Sequence, residues 1–368
     1  MVNPTLLISK NDINRNLHLK KAQKQEKRTN GKGSRKPLKN YLGKIVSLVS
    51  YKSVCQEESR ISSFVSSISR EELLTAIESA KLTGMSGNGF YTHIKIKEFL
   101  SANSKNRILL INAVECDPAL LHDEWLLDNR YVEIMHTIHY LLQALSLEKA
   151  VLATKRRNIK SSDKFSVAVV PPRYPMGEER FLIHQVFGIH LENNEIPAEH
   201  GILVLNIQTI YQIGKIINQC YDGGRFITIA DLTEASAKIA YVYPTDKITN
   251  LLVTHFGEKN KENLYKGFGA MACTKVTETD NFSNYETFAA YANPPRLDNK
   301  NKCRRCGNCK RKCPMNIDIA KIVQLIDKNQ SFDYDLYNPE RCIQCGCCTY
   351  FCPALKNVSG YVAKILDK

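Results

Sequence analysis

The sequence predicts an α/β domain, then a small α+β module, then a cysteine-rich C-terminal domain. Three observations predict it. Short apolar runs at 108–111, 150–154 and 165–170, the first of them without a polar residue, occur with helical patterns, as in a parallel sheet whose strands are buried on both faces. Past Gly224 the runs become shorter and alternate, at 226–230 and 240–243, with a helical stretch from Asp246. Nine of the thirteen cysteines fall between Cys303 and Cys352.

The length, 368 residues, suits two or three domains of ordinary size. Hydrophobic residues at 43% and charged residues at 24% are ordinary globular usage, which excludes collagen, a wholly disordered chain and a coiled-coil rod. No run of roughly 18 apolar residues predicts a membrane span, and no signal peptide is expected. The most apolar stretch, 201–217, is broken by Asn206, Gln208, Gln212 and Lys215. The formal charge of +14 is unevenly spread. Residues 1–44 carry nine Lys and three Arg against Asp12 and Glu26, so +10 sits there and +4 on the rest. That arm, rich in Lys, Asn and Gln and without apolar periodicity, reads as disordered.

The α/β domain is expected over 45–223. Leu73, Leu74, Ile77 and Leu82 mark an amphipathic helix from Glu71 to about Thr83, and a longer helical pattern runs from Tyr131 to about Leu147. The α+β module is expected over 224–276. The polar stretch 277–302 reads as a linker. In the closing domain, 303–368, Ile319, Ile322, Val323 and Ile326 mark one helix face.

The cysteines carry the strongest chemical signal. Cys303, Cys306, Cys309 and Cys313, the last followed by Pro, have the spacing x2, x2, x3. Cys342, Cys345, Cys348 and Cys352 repeat it 39 residues later, again with Pro. Three thiolates two residues apart let a tight loop wrap three corners of a cubane, and the fourth reaches the other cluster in two-cluster ferredoxins. One [4Fe–4S] cluster is therefore assigned to Cys303, Cys306, Cys309 and Cys352. The second is assigned to Cys342, Cys345, Cys348 and Cys313. Structural zinc would show cysteine pairs instead of triplets. Cys347 falls outside the spacing and reads as a packing thiol. An odd cysteine total and the tight clustering argue against a disulfide framework and for a reducing cytoplasm. Two adjacent clusters carry single electrons, so another part of the chain should feed or drain them.

A glycine cluster, Gly84, Gly87 and Gly89, precedes Phe90 and a basic stretch with Lys95 and Lys97. Such a turn lets the backbone approach a phosphate or a flavin ring closely, although a plain loop is the simpler reading. It is not a dinucleotide fingerprint, because the clear strand at 108–111 follows it.

In context the loop resembles the GxGGAGFPTxxK signature of the C subunit of the Rnf electron-transport complex. That family is related to the flavin-bearing subunit of respiratory NADH dehydrogenase. Further segments follow in the family's order: INAVECDP from Ile111, YPMGEE from Tyr174, the strand-and-turn ending in Asn206 and Thr209, and GFGAM from Gly267 beyond a β-grasp-like module. The twin cysteine motif comes last. The resemblance covers roughly 70–352.

The resemblance implies a flavin-subunit-like α/β domain that binds FMN and NAD(H) and exchanges electrons with two clusters. Position by position, Gly84, Gly87, Gly89, Phe90 and Lys95 would line the flavin phosphate and ring. Asn112, Tyr174, Glu178, Asn206 and Thr209 would hydrogen-bond it. Glu115 and Glu179 would lie on the nicotinamide side as the catalytic pair. The plain alternatives are a solvated Lys95, a surface Glu179 and a turn-forming Asn206. Ser86, Asn88 and Tyr91 replace family glycine, alanine and proline, and Asn88 would narrow the flavin site. Val114 stands where the respiratory flavin protein has an acid. The hydrophobic-barrel domain of the membrane-complex version is expected to be missing, with the basic arm in its place. Short relatives without it include the cobalamin reductase of propanediol microcompartments.

The implied activity is an oxidoreductase subunit moving electrons between NAD(H), FMN and the clusters. The alternative is a non-catalytic iron–sulfur relay with a degenerate flavin site. Implied partners are other subunits of a redox complex or a small electron carrier, in the cytoplasm or peripherally on the cytoplasmic face of a membrane. The arm could bind nucleic acid, but Tyr41 alone offers an aromatic for stacking, which disfavours it.

Overall fold

The structure, a computed structural model, describes residues 53–54 and 60–366, apart from 88, 105, 193–194, 260–262, 272, 278, 294–296, 299 and 332. The basic arm and Asn88 therefore lie outside the described residues.

The first unit is a three-layer α/β domain. After the short strand β1 (Ser53–Val54) come α1 (Arg70–Ser79), α2 (Thr92–Ser101), β2 (Ile108–Ala113), α3 (His122–Asn129), α4 (Tyr131–Ala144), β3 (Lys149–Thr154), β4 (Phe165–Val169), α5 (Glu179–Phe187), β5 (Ile202–Asn206) and α6 (Ile207–Ile217). Strands β4, β3, β2 and β5 form a wholly parallel sheet in that order. The period-two alternation of a strand sorts the side chains. Leu109, Ile111, Leu203 and Leu205 pack on α1, α2, α4 and α6, whereas Leu110, Val151 and Val204 pack on Leu182 and Ile183 of α5. Helix α1 starts where Ser69 and Glu72 form a reciprocal capping box. The apolar stretch at 201–217 resolves into β5 and α6, and the break at Asn206 is the helix cap, its Oδ1 accepting from Gln208 N–H at 2.9 Å.

The second unit is a mixed sheet in the order β1, β7 (Ser236–Val242), β6 (Arg225–Asp231), β10 (Phe288–Tyr291), β8 (Leu264–Gly267), β9 (Cys273–Lys275). Strands β6 and β7 form an antiparallel hairpin, α7 (Ile248–Phe256) crosses over, and β10 runs parallel to β6. A central parallel strand beside the first hairpin strand is the β-grasp arrangement. This departs from the expected boundaries. The stretch 277–302, read as a linker, contains β10, whose four residues are all buried. An apolar run of four inside a polar stretch is too short to stand out by periodicity. One face of the sheet packs on α7 through Ile227, Ile229 and Leu252, and the other packs against the α/β domain through Phe226, Tyr241 and Phe288.

The third unit holds the cysteines. Short helices α8 (Asn308–Arg311) and α11 (Cys347–Tyr350) carry the third cysteine of each triplet, with α9 (Ile319–Asp327), α10 (Tyr334–Tyr337) and α12 (Val358–Leu366) between and after them. Ile319, Ile322, Val323, Val358 and Val362 form its core, around Cys348. No described helix is long and apolar enough to cross a membrane.

Candidate functional site

Two cysteine cavities define the metal-binding end. Cys303, Cys306, Cys309 and Cys352 line one, and Cys313, Cys342, Cys345 and Cys348 line the other, where Cys347 also sits. The two repeats thus exchange their fourth cysteines in space. Gly307 and Gly346 take left-handed backbone angles of +69° and +74° just after the second cysteine of each triplet, turning the loop back on itself. Four thiols around one small cavity are the donor set of a cubane, so the residues fit two [4Fe–4S] clusters. The cysteines of the second group are the more deeply buried: Cys348 is buried, whereas Cys306 is exposed.

The second site lies at the C-terminal edge of the parallel sheet, where open α/β sheets place their ligands. Asn112 and Asn206 are register partners on β2 and β5. Asn112 Nδ2 donates to Gly177 O at 2.8 Å, tying the 174–179 loop to the sheet. Asn206 Nδ2 donates to Asp123 Oδ2 at 2.7 Å. Above this edge stands the glycine turn. Gly84 N–H donates to Phe90 O at 2.8 Å, so the turn closes as a narrow loop between Leu82 and α2. Met85 fixes it from below: its N–H donates to Thr209 Oγ1 at 3.0 Å, and its carbonyl accepts from buried Arg225 at 3.1 Å.

Gly87 and Gly89 have φ of +99° and +67°, a region that side-chain-bearing residues rarely adopt. A Cβ on Gly87 would come within 2.5 Å of the Phe268 ring, and one on Gly89 equally close to the Tyr285 ring. Two aromatic rings of the β-grasp module thus cover one side of the turn, and Phe90 is exposed beside them.

The carboxylates divide by role. Glu178 caps α5, accepting from Arg180 N–H and Phe181 N–H at 3.0 and 3.2 Å, and burial lifts its pKa above the usual carboxylate value. Glu179, the next residue, pairs with Lys95 Nζ at 2.7 Å, so the expected phosphate ligand and the expected nicotinamide-side carboxylate stand together. Glu115 is buried and caps α3 from outside, accepting from Asp123 and Glu124 N–H at 3.1 and 3.3 Å, because the cap residue Leu121 has no acceptor of its own. Tyr174 joins the two sites: its hydroxyl donates to Cys345 O at 3.3 Å, and its ring packs against Met271 and Cys347.

This edge offers a narrow turn with two left-handed glycines, one lysine, a capped helix N-terminus and paired asparagines. Such a set fits a flavin phosphate and ring. The family comparison points the same way. Residues 77–215 match the Nuo51 FMN-binding domain and residues 302–357 match the 4Fe-4S dicluster domain. The C subunit of the ion-translocating oxidoreductase complex of Haemophilus influenzae is 28% identical over 270 residues, 68% of this chain and 32% of its own length. The chain is similar to this C subunit over that stretch. The cobalamin reductase PduS of Salmonella typhimurium is 26% identical over 167 residues, 43% of this chain and 36% of its own. The chain thus spans only about a third of the length of these relatives. Its fold is similar to that of a chain in the crystal structure of an NAD+-reducing [NiFe]-hydrogenase in the H2-reduced state, with a TM-score of 0.52 and 14% identity, covering 85% of this chain and 63% of that one.

Several residues of this site carry no signal of their own in the sequence. Asp117 lies inside the INAVECDP segment, yet two of its partners are 153 and 154 residues away: it accepts from Ala270 and Met271 N–H. His122 and Asp123 stand beside Glu115, with no motif to mark them. Phe268 and Tyr285 become visible only once the β-grasp module is placed against the glycine turn.

Proposed function

We propose that this chain is an electron-transfer flavo-iron–sulfur subunit that moves electrons between NAD(H), by way of FMN, and two [4Fe–4S] clusters, within a larger redox complex. The observation that carries this reading is the contact of Tyr174 with Cys345. The loop assigned to the flavin edge touches the loop that frames one cysteine cavity, so the two cofactor regions share a wall. FMN, when bound, accepts a hydride as an electron pair and releases the electrons singly, which clusters alone cannot do.

The chain's own residues prepare that exchange. Lys95 supplies the positive charge for a phosphate, and Glu179 holds the lysine in place at 2.7 Å until the phosphate competes for it. Asn112 and Asn206 fix the floor. Tyr174, Met271 and Cys347 close the wall between flavin region and cavity with apolar groups, which excludes water from that path. Cys313, Cys342, Cys345 and Cys348 hold the cluster next to this wall, and Cys303, Cys306, Cys309 and Cys352 hold the one nearer solvent. The chain would act in the cytoplasm or peripherally at the cytoplasmic face of a membrane.

Anaerobic purification tests the reading. The protein should contain about eight irons per chain, together with one FMN, and NADH should bleach both the flavin and the cluster absorption. A colourless, iron-free protein would overturn it. One observation favours a second reading, an iron–sulfur relay with a degenerate flavin site: Phe268 and Tyr285 already cover Gly87 and Gly89. That version predicts the same iron content, no flavin and no response to NADH.

A further inference from the structure

The two cysteine repeats have diverged in charge. The first, 300–312, reads KNKCRRCGNCKRK: Lys300, Lys302, Arg304, Arg305, Lys310, Arg311 and Lys312 give +7, with no acid. The corresponding window 39 residues later, 339–351, reads PERCIQCGCCTYF, where Arg341 and Glu340 cancel to zero. All seven cations of the first repeat are exposed. Its cavity is lined by Arg304, Arg305 and the exposed Cys306, so two of the seven cations stand at the cavity itself and the others flank them in the chain. Lys310 is paired with Asp318, Arg311 donates to Asn308, and Lys312 lies over the Phe351 ring at 4.7 Å. Lys300, Lys302, Arg304 and Arg305 stand on the exposed side of the loop.

The second repeat shows what its own side chains serve. Cys347 is buried against Met271, with Tyr174, Tyr350 and Phe351 packed around the pair. That repeat is apolar because it is covered by the rest of the chain. A cubane with four thiolates carries the same charge in either repeat, so neutralising it does not explain a difference of seven charges. Retaining seven cations on one exposed loop also costs stability through mutual repulsion.

We propose that the basic rim around the Cys303 cavity is the docking surface for an acidic, soluble electron-carrier protein, resting on the reading of the cysteine groups as cluster ligands. Charge complementarity names the occupant: a cationic ring of this density steers and orients an acidic partner. The exposed Cys306 marks the point of closest approach. The electron step is simple. One electron leaves the reduced carrier, whose iron centre is oxidised by one unit, and reduces the outer cluster by one unit; no proton or group moves.

The test uses the full-length, anaerobically purified holoprotein and an acidic plant-type [2Fe–2S] ferredoxin as the probe. A fourfold charge reversal (Lys300→Glu, Lys302→Glu, Arg304→Glu, Arg305→Glu) is compared with a matched reversal of exposed residues on the α/β domain (Lys149→Glu, Arg157→Glu, Lys160→Glu, Lys164→Glu). Binding of oxidised ferredoxin is read by calorimetry, and cluster reduction by reduced ferredoxin by stopped flow. The rim variant should lose about tenfold or more in affinity and in second-order rate, and most of the salt dependence, while the control changes little. Neutral replacement by Gln at the same four positions should give an intermediate loss. Iron content and chemical reduction by dithionite separate the two ideas. Iron-free wild-type protein would sink the cluster reading itself. Iron-replete variants with unchanged ferredoxin binding and rate would sink the docking proposal alone. So would a rim that binds anionic phospholipid vesicles or duplex DNA while ferredoxin transfer is indifferent to the reversal.

Discussion

Asp117 reaches across from the α/β domain to Met271 of the β-grasp module, its Oδ2 accepting from Met271 N–H at 3.1 Å while Oδ1 accepts from Ala270 N–H at 3.0 Å. Met271 in turn packs on Cys347 at the second cysteine cavity. One buried carboxylate therefore fixes the loop that all three units share.

Asp117 makes that junction pH-dependent. Burial pushes its pKa up to about 7, against the pull of the Ala119, Ala270 and Met271 N–H groups. The unfolded value is near ~4. The folded protein thus binds a proton the unfolded chain has released, so the stabilising contribution is complete below pH ~4 and is lost as pH rises through ~7. Asp117→Asn cannot titrate. The midpoint of the holoprotein should therefore fall from pH 5 to pH 8 in wild type more than in the variant, by an amount equivalent to a few kcal/mol at most, at about 1.4 kcal/mol per pKa unit. A wild-type minus variant difference that is flat in pH would contradict the assignment.

His122 should show the opposite slope. Burial first, and Arg225 second, lower its pKa to about 3. The contribution of the neutral ring is present above pH ~6.5 and is lost as pH falls toward 3, because the unfolded histidine takes up its proton earlier. His122→Gln should therefore be less sensitive than wild type to acid between pH 6 and 4. Thermal midpoints across that window read it, and equal acid sensitivity in both proteins would exclude it.

The glycine turn offers a coupled pair. Gly89→Ala forces a side chain into φ +67° and onto the Tyr285 ring. The left-handed backbone alone costs about 1–2 kcal/mol, and the contact adds to it. Tyr285 is nearly half exposed and its ring can move aside. Tyr285→Ala in the same chain should therefore recover only the steric part. A double variant as stable as wild type would show that the backbone angle costs nothing.

The sequence is uneven in what it discloses, for physical reasons. Cluster spacing is a covalent constraint and is written in the chain, so the cysteine groups and their 39-residue repeat are legible. Buried parallel strands such as β2 and β3 show as short apolar runs, 108–111 and 150–153. Strand β10 does not, because Phe288 to Tyr291 is short and its polar flanks read as linker. Asp117 and Arg225 stay hidden because their partners, Met271 and Met85, are 154 and 140 residues distant. Backbone partners at such separations leave no periodicity. Glu115, marked for the nicotinamide side, caps α3 in the structure, a use that a flavin-family motif does not reveal.

The exchange of fourth cysteines makes a prediction that iron counting and spectroscopy decide together. If Cys352 completes the Cys303 group and Cys313 the Cys342 group, as the two cavities arrange them, variants should fall into crossed classes. Cys306→Ala and Cys352→Ala should each lower iron from about eight to about four per chain and remove the same electron-paramagnetic-resonance signal. Cys342→Ala and Cys313→Ala should remove the other. Cys347→Ala should keep both, since that thiol packs against Met271. The residual signal also separates the environments. The cluster left in the Cys306 class is the one beside Tyr174, so NADH should still reduce it. The cluster left in the Cys342 class lies beyond the missing one, so NADH should reduce it far more slowly while dithionite still reaches it. Loss of the same signal from Cys313→Ala and Cys303→Ala would mean that each repeat closes its own cluster, and the geometry of the two cavities would then be wrong.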